Sequence, residues 1–203
     1  MPAPLQFHFD FISPYGFFAS LRIEEVAARH GREVDWRPML LGVSVLKVMG
    51  LKPLLDTPLK GDYVRRDVLR HARHEGIALG RSLDAPVGSP LAMARAFAWA
   101  KSRWPGLQGA LAHAIYDAYW LRGHDLATAE EIVACVDLPA GVDGAALLKA
   151  MQGPEPAALL RQSVEAALAS GVFGSPTVVV DGEPFWGADR LRDVDEWLQR
   201  GGW

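Results

Sequence analysis

A serine hydroxyl at the start of a predicted helix is the group in this sequence best placed to do chemistry. Ser13 follows a short apolar run and precedes Pro14, and these residue types are preferred at the cap and at the first position of a helix. Free backbone N–H groups and the positive end of the helix dipole meet there, and they stabilise an anion. A thiolate held beside Ser13 is one anion that fits.

A purely structural role for Ser13 is the alternative. The Ser-Pro dipeptide occurs three times in the chain, at Ser13-Pro14, Ser89-Pro90 and Ser175-Pro176. Capping a helix is the common use of such a serine. The dipeptide alone therefore favours capping, and only its surroundings favour chemistry.

The sequence argues against two other kinds of site, a reactive thiol and a metal centre. Cys135 is the one cysteine, and it lies in an apolar helical pattern where a buried, inert thiol is expected. His71 and His74 are one helical turn apart, but they stand among arginines, whose charge repels a cation. We therefore predict no metal site.

Composition limits the classes of partner. The chain has 203 residues, 50% of them hydrophobic, and a net charge of −3, which indicates no general affinity for nucleic acid or anionic membranes. No apolar run approaches the roughly 20 residues that span a bilayer, and the N-terminus lacks the pattern of a signal peptide. We therefore expect a soluble, cytoplasmic protein.

Predicted elements near the N-terminus form a βαβ unit. Residues 5–11 alternate apolar and polar side chains, which is typical of a strand. Residues 14–30 have helical periodicity, and residues 34–38 predict a second short strand that ends at a proline. A strand, a helix and a strand in this order predict parallel pairing with a right-handed crossover.

Predicted elements near the C-terminus form a ββα unit, and the residues between the two units are helical. The β-branched run 177–180 and the Asp181-Gly182 turn predict a hairpin, and residues 189–199 predict a last helix. Together the two units are typical of a thioredoxin-like α/β fold (βαβ + ββα) with a large all-helical insertion. The predicted domains are a thioredoxin-like domain of residues 1–44 plus 169–203 and a helical insertion domain of residues 45–168.

Three motifs resemble the 2-hydroxychromene-2-carboxylate isomerases, which belong with the kappa-class glutathione transferases in one branch of thioredoxin-like proteins. They are DFISPYG at 10–16, LKGDYVRRD at 59–67 and GVFGSPTVVVDGEPFWGADRL at 171–191. Each motif is weak alone, but the set is specific in this order and spacing, and it spans the chain. The resemblance implies an enzyme with glutathione as its cofactor.

The resemblance implies that Ser13 is the catalytic residue. Its hydroxyl would donate a hydrogen bond to the sulfur of glutathione and favour the thiolate over the thiol. Related disulfide oxidoreductases carry Cys-x-x-Cys at this turn, where this chain has Ser13 and Gly16. Neither residue can form a disulfide, so oxidoreductase chemistry with protein thiols is excluded.

Residues near the C-terminus are implied to bind other parts of glutathione. GSPT resembles a cis-proline element, in which the backbone of Ser175, next to Pro176, pairs with the cysteinyl backbone of the ligand. Ala188 and Asp189 resemble the segment at the γ-glutamyl end, where Asp189 would contact the ammonium group and Ala188 replaces a serine common in relatives. Capping the last helix is the alternative role of Asp189.

A second implied contact to glutathione lies in the middle of the chain. Lys60 resembles a lysine that reaches the glycyl carboxylate, and a solvated surface lysine is an equal alternative. Leu51 stands where the family has an asparagine. This departure weakens the case for glutathione binding in the part of the site near Lys60.

The implied reaction is a cis–trans isomerisation in aromatic catabolism. It interconverts 2-hydroxychromene-2-carboxylate and trans-o-hydroxybenzylidenepyruvate through reversible addition of the glutathione thiolate. A kappa-type transferase that conjugates an electrophile and a non-catalytic binding module with a thioredoxin fold remain alternatives. The family also implies a homodimer and a small aromatic carboxylate as substrate.

Two groups of side chains are candidates for contacts to that substrate. A slot for the aromatic substrate has four candidate residues, which are Tyr15, Phe17, Phe18 and Trp186. Core packing is the favoured interpretation for all of them except Tyr15. A basic helix face is a candidate to attract the substrate carboxylate, and it consists of Arg65, Arg66, Arg70 and Arg73. The favoured interpretation is a solvated helix face whose arginines pair with Asp62 and Asp67.

Overall fold

The computed structural model describes residues 2–203, and a four-stranded mixed sheet lies at its centre. The strands are β1 (Leu5–Phe9), β2 (Val34–Pro38), β3 (Thr177–Val180) and β4 (Glu183–Trp186), in the order β2-β1-β3-β4. β1 pairs parallel with β2 and antiparallel with β3, and β3 pairs antiparallel with β4. This order confirms the predicted thioredoxin-like α/β fold.

Within residues 2–203, eight α-helices surround the sheet, and six of them lie between β2 and β3 in the chain. They are α1 (Pro14–Arg29), α2 (Lys60–His74), α3 (Leu91–Arg103), α4 (Gln108–Tyr116), α5 (Ala129–Cys135), α6 (Gly144–Met151), α7 (Glu155–Ala169) and α8 (Leu191–Arg200). The predicted helical insertion is therefore present. The domain boundaries at 44/45 and 168/169 stay a prediction, and their start at Met1 lies outside the described residues.

The first helix begins and ends as its local sequence predicts. Ser13 is the N-cap of α1, and its side chain accepts the backbone N–H of Gly16. Phe17 and Ile23 point into the core from the buried face of the helix. Gly31 follows with φ +63°, a left-handed conformation in which glycine carries no steric cost.

Two predicted segments differ from the structure. The glycines and prolines within residues 39–60 predict an irregular segment, but Gly42–Val48 form a π-helical turn and Leu54–Asp56 form a 3-10 turn. The first of these turns follows Leu41, whose backbone N–H is bound by a carboxylate from another part of the chain, a contact that local patterning cannot show. The last helix is predicted to begin at residue 189, but Ala188–Arg190 form a 3-10 turn first.

The sheet and the helices of the insertion share one hydrophobic core. The ring of Phe9 on β1 lies 5.3 Å from Phe97 of α3 and 5.9 Å from Tyr116 of α4, centroid to centroid. Phe9 and Phe97 are fully buried. The rings of Phe9 and Phe97 meet edge to face, an arrangement that stabilises a core beyond the area it buries, so the insertion is joined to the sheet by close aromatic contacts.

A helix that crosses a bilayer must be long and apolar. None of the helices formed by residues 2–203 combines the length and the apolar character that crossing a bilayer requires.

Candidate active site at the start of the first helix

Ser13 and Ser175 are brought together by the sheet, because β1 leads into Ser13 and Ser175 precedes β3. The Oγ of Ser13 donates a hydrogen bond to the backbone oxygen of Ser175 at 3.0 Å, and it accepts the N–H of Gly16 at 3.0 Å. Ser13 is 3% exposed and Ser175 is 9% exposed. The Ser175-Pro176 peptide bond is cis, as the resemblance implies. The site therefore combines one hydroxyl, a helix N-terminus and the backbone of a proline turn.

Gly16 takes the position of the second cysteine of a Cys-x-x-Cys motif, and it is tightly surrounded. A Cβ atom at this residue would lie 2.9 Å from the Oγ of Ser175, 2.9 Å from the hydroxyl of Tyr116 and 3.2 Å from the Cβ of Ser13. The first two distances are shorter than ordinary packing allows, and both neighbours are buried. The residue type at 16 is therefore required by the close approach of α1 to the proline turn.

Asp10 is a residue of this site that sequence reasoning missed. It directly follows β1 and is 1% exposed, and its carboxylate accepts the N–H groups of Ile12 at 3.3 Å and Leu41 at 2.8 Å. Burial raises the pKa of the Asp10 carboxyl to about 6, although the two N–H donors lower it. The available signal was a lone carboxylate inside the aromatic run that leads to Ser13.

The backbone of the turn between β1 and α1 is held by donors from three directions. The N–H of Ser13 donates to the oxygen of Asp10 at 2.9 Å, and the hydroxyl of Tyr116 donates to the same oxygen at 3.3 Å. The indole N–H of Trp120 donates to the oxygen of Phe11 at 2.9 Å. The conformation of the Ser13 turn is therefore determined by the helical insertion as well as by its own sequence.

Ala188 and Asp189 lie in the 3-10 turn that follows β4. The turn is linked to the proline element, because the N–H of Gly187 donates to the oxygen of Pro176 at 3.0 Å. The carboxylate of Asp189 pairs with Arg190 at 3.0 Å and is largely exposed. Arg190 is the N-cap residue of α8, and no side chain in the described part of the chain caps this helix, so the capping role considered for Asp189 is wrong.

Lys60 is the first residue of α2 and lies on the wall of an open cavity of about 410 Å³. Leu54, Leu59, Tyr63 and Val64 line the rest of this cavity, so its surface is mainly apolar. Within residues 2–203, no hydrogen bond or ion pair joins Lys60 to Ser13, Ser175 or Asp189. Leu51 is exposed and follows the π-helical turn.

The candidate aromatic residues have different environments. Phe17 and Phe18 are buried in the core, as the favoured interpretation holds. Trp186 is 57% exposed, so the prediction that it packs in the core is wrong. It lies on the edge strand β4 and packs against the exposed Phe173, with ring centroids 4.9 Å apart. The hydroxyl of Tyr15, in the first turn of α1, donates to Asp67 at 2.8 Å. Burial and this bond raise the pKa of Tyr15 above its usual range.

The basic face of α2 is paired in part with neighbouring acids. Arg70 contacts Asp67 at 2.6 Å, and Arg65 contacts Asp84 at 2.8 Å and lies 3.9 Å from Asp62. These pairs agree with the favoured interpretation of a solvated, ion-paired helix face.

Comparisons with known proteins agree with the predicted resemblance. A family model for DSBA-like thioredoxin domains matches residues 4–199. A curated relative from Sphingobium xenophagum, named 2-hydroxychromene-2-carboxylate isomerase, is 26% identical over 98% of this chain and 99% of its own length. A relative of the same name from Pseudomonas putida is 27% identical over 92% and 90%. The solved structure of a 2-hydroxychromene-2-carboxylate isomerase has a TM-score of 0.82 at 24% identity, over 97% of this chain and 94% of that chain, which shows a common fold.

Proposed function

This chain belongs to the family of DSBA-like thioredoxin domains, and we propose that it is a glutathione-dependent cis–trans isomerase acting on a small aromatic carboxylate. The proposed reaction interconverts 2-hydroxychromene-2-carboxylate and trans-o-hydroxybenzylidenepyruvate, and the curated relatives are named as isomerases of the first of these compounds. One observation carries the proposal: an alcohol caps α1 beside the backbone of Ser175, at the turn where Gly16 leaves no second thiol.

Three of the candidate residues carry groups that suit glutathione, which has a thiol, two carboxylates and one ammonium group. Ser13 offers a hydroxyl at a helix N-terminus for the sulfur. Lys60 offers an exposed cation for a carboxylate, and Asp189 offers a carboxylate for the ammonium group in exchange for its contact to Arg190. The donor set therefore supports glutathione as the cofactor.

The hydrogen bond between Ser13 and Ser175 can change partners without movement of the chain. The hydrogen on the Oγ of Ser13 rotates about the Cβ–Oγ bond, so it can be donated to a sulfur while the same oxygen still accepts the N–H of Gly16. The backbone oxygen of Ser175 is then free to accept an N–H from the ligand. When bound, glutathione supplies a sulfur nucleophile for reversible addition to a conjugated carbon.

An exposed aromatic pair supports an aromatic substrate. Phe173 precedes Ser175 by two residues, and Trp186 pairs with Thr177 across β3 and β4, so both rings lie close to the proline turn. They are 43% and 57% exposed, unlike the buried rings of Phe17 and Phe18. An exposed aromatic surface beside the turn favours stacking of a planar substrate ring.

Turnover of both named compounds, followed by their absorbance with and without glutathione, tests the proposal. We expect activity only with glutathione, a roughly hundredfold or greater loss of kcat in Ser13→Ala, and wild-type activity in the control Ser89→Ala. Equal turnover without glutathione would contradict the proposal. A glutathione conjugate that accumulates would favour the transferase, and the absence of glutathione binding would favour the binding module.

A further inference from the structure

The carboxylate and backbone of Asp10 join three separate parts of the chain. Its Oδ1 accepts the N–H of Ile12 at 3.3 Å, in the turn that carries Ser13, and its Oδ2 accepts the N–H of Leu41 at 2.8 Å. Its own N–H donates to the Oγ of Ser175 at 2.9 Å. The Ser13 turn, the Ser175 turn and the start of the π-helical turn therefore meet at one residue.

Burial of the Asp10 carboxylate carries a free-energy cost. It is 1% exposed, and among residues 2–203 no cation pairs with its carboxylate. The titratable groups that face it are two phenols, Tyr116 and Tyr119, and the first of them donates to its backbone oxygen. A buried carboxylate without a counter-ion costs stability. The two N–H groups are bound by different carboxylate oxygens, and an asparagine in the same orientation would place its NH2 group against one of them.

We propose that Asp10 is the positioning residue of this site: its ionised carboxylate holds the Ser13 turn and the Leu41 turn together, and so maintains the geometry of Ser13 and Ser175. This inference rests on the proposed function for its effect on glutathione. Protonation turns one acceptor into a donor that faces an N–H group. The longer contact, to Ile12, is the one expected to break, and the turn that carries Ser13 then loosens.

Backbone amide NMR tests the positioning role without any ligand. The amide shifts of Ile12 and Leu41 are followed in the full chain from about pH 4 to about pH 8, a range that brackets an ordinary and a raised carboxyl pKa. We expect both amides to titrate together with an apparent pKa of about 6, and this titration to be absent in Asp10→Asn. Asp117→Asn is the matched control, because burial also raises the pKa of that carboxyl, and the titration of both amides should persist in it. Amides that do not titrate in the wild type, or that titrate unchanged in Asp10→Asn, would overturn the proposal.

Glutathione binding and turnover test the consequence for the site. We expect Asp10→Asn to raise the Kd for glutathione by roughly tenfold at neutral pH, because a charged hydrogen-bond acceptor is lost. The kcat of the wild type should fall towards the variant's value as the pH drops below about 6, and the variant should lack this limb. Equal Kd and kcat in the two proteins would overturn the positioning role. Should the wild type bind no glutathione, the proposed function fails, while the wild-type amide titration still decides the role of Asp10.

Discussion

The Oγ of Ser13 donates a hydrogen bond to the backbone oxygen of Ser175, a residue 162 positions away in sequence, over 3.0 Å. The same Oγ accepts the N–H of Gly16, so one hydroxyl satisfies a helix N-terminus and a proline turn together. Both serines are almost fully buried. The cap of α1 and the contact between the start of α1 and the proline turn before β3 thus depend on the same atom.

Removal of the Ser13 hydroxyl should reduce stability more than loss of an ordinary cap. Ser13→Ala leaves a buried N–H and a buried carbonyl oxygen without their partner, and we expect the free energy of unfolding to fall by about 2 kcal/mol. Urea unfolding measures this change. Ser89→Ala removes an exposed hydroxyl with a 3.4 Å contact to Leu91 and should cost less than about 0.5 kcal/mol. Equal losses in the two variants would show that the contact to Ser175 contributes nothing.

A side chain at position 16 should not fit. Gly16→Ala places a Cβ 2.9 Å from the oxygens of Ser175 and Tyr116, and we expect a loss of about 2 kcal/mol in the free energy of unfolding. Tyr116→Phe in that background removes one of the two oxygens and should recover part of the loss. Gly88→Ala is the control, because a Cβ there meets nothing within 4 Å. Thermal unfolding of the four proteins makes the comparison, and a Gly16→Ala variant as stable as wild type would contradict the tight packing.

Two buried groups should give opposite pH dependences of stability. Burial and then the charge of Arg37 lower the pKa of His8 from 6.5 to about 4, so between these values the unfolded chain binds more protons and stability rises with pH. Burial raises the pKa of Asp10 from 3.8 to about 6, so the folded chain binds more protons and stability falls as pH rises. Each contribution amounts to about 3 kcal/mol over its range, and the two nearly cancel between about pH 4 and about pH 6.

Single variants should separate these two contributions. Relative to the wild type, Asp10→Asn should become more stable as pH rises from about 4 to about 6, by about 1.4 kcal/mol per pH unit. His8→Leu should show the opposite slope over the same range. Urea unfolding at a series of pH values gives both slopes. Parallel pH profiles for the wild type and Asp10→Asn would mean that Asp10 titrates alike in the folded and unfolded chains.

The sheet and the helical insertion should unfold together, because Phe9 and Phe97 join them in one core. Phe97→Ala in α3 removes a fully buried ring and should lower the free energy of unfolding by about 3–5 kcal/mol. Leu69→Ala on the exposed face of α2 is the control and should cost less than about 1 kcal/mol. Tryptophan fluorescence and circular dichroism follow the transition, and two separate transitions in the wild type would show that the units are independent.

Local signals in the sequence predicted most elements of the fold correctly. Ser13 caps α1, Thr128 and Glu131 form the capping box of α5, and Asp181-Gly182 joins β3 to β4. Each of these signals depends on neighbours within about four residues, so the sequence alone contains the information. The same locality explains why the turn at Gly42–Val48 was not predicted, because the residue before it, Leu41, is bound by Asp10, which follows β1 far away in the sequence.

The sequence by itself determined the order of strands and helices, the absence of a thiol pair at the Ser13 turn, and the family that the three motifs resemble. Only the tertiary structure decided that Ser13 binds Ser175, that Asp10 is buried with no counter-ion among residues 2–203, and that Trp186 is exposed. The physical reason is that periodicity reports which face of a helix or strand is apolar. The three facts above depend instead on which distant segments of the chain pack against these residues.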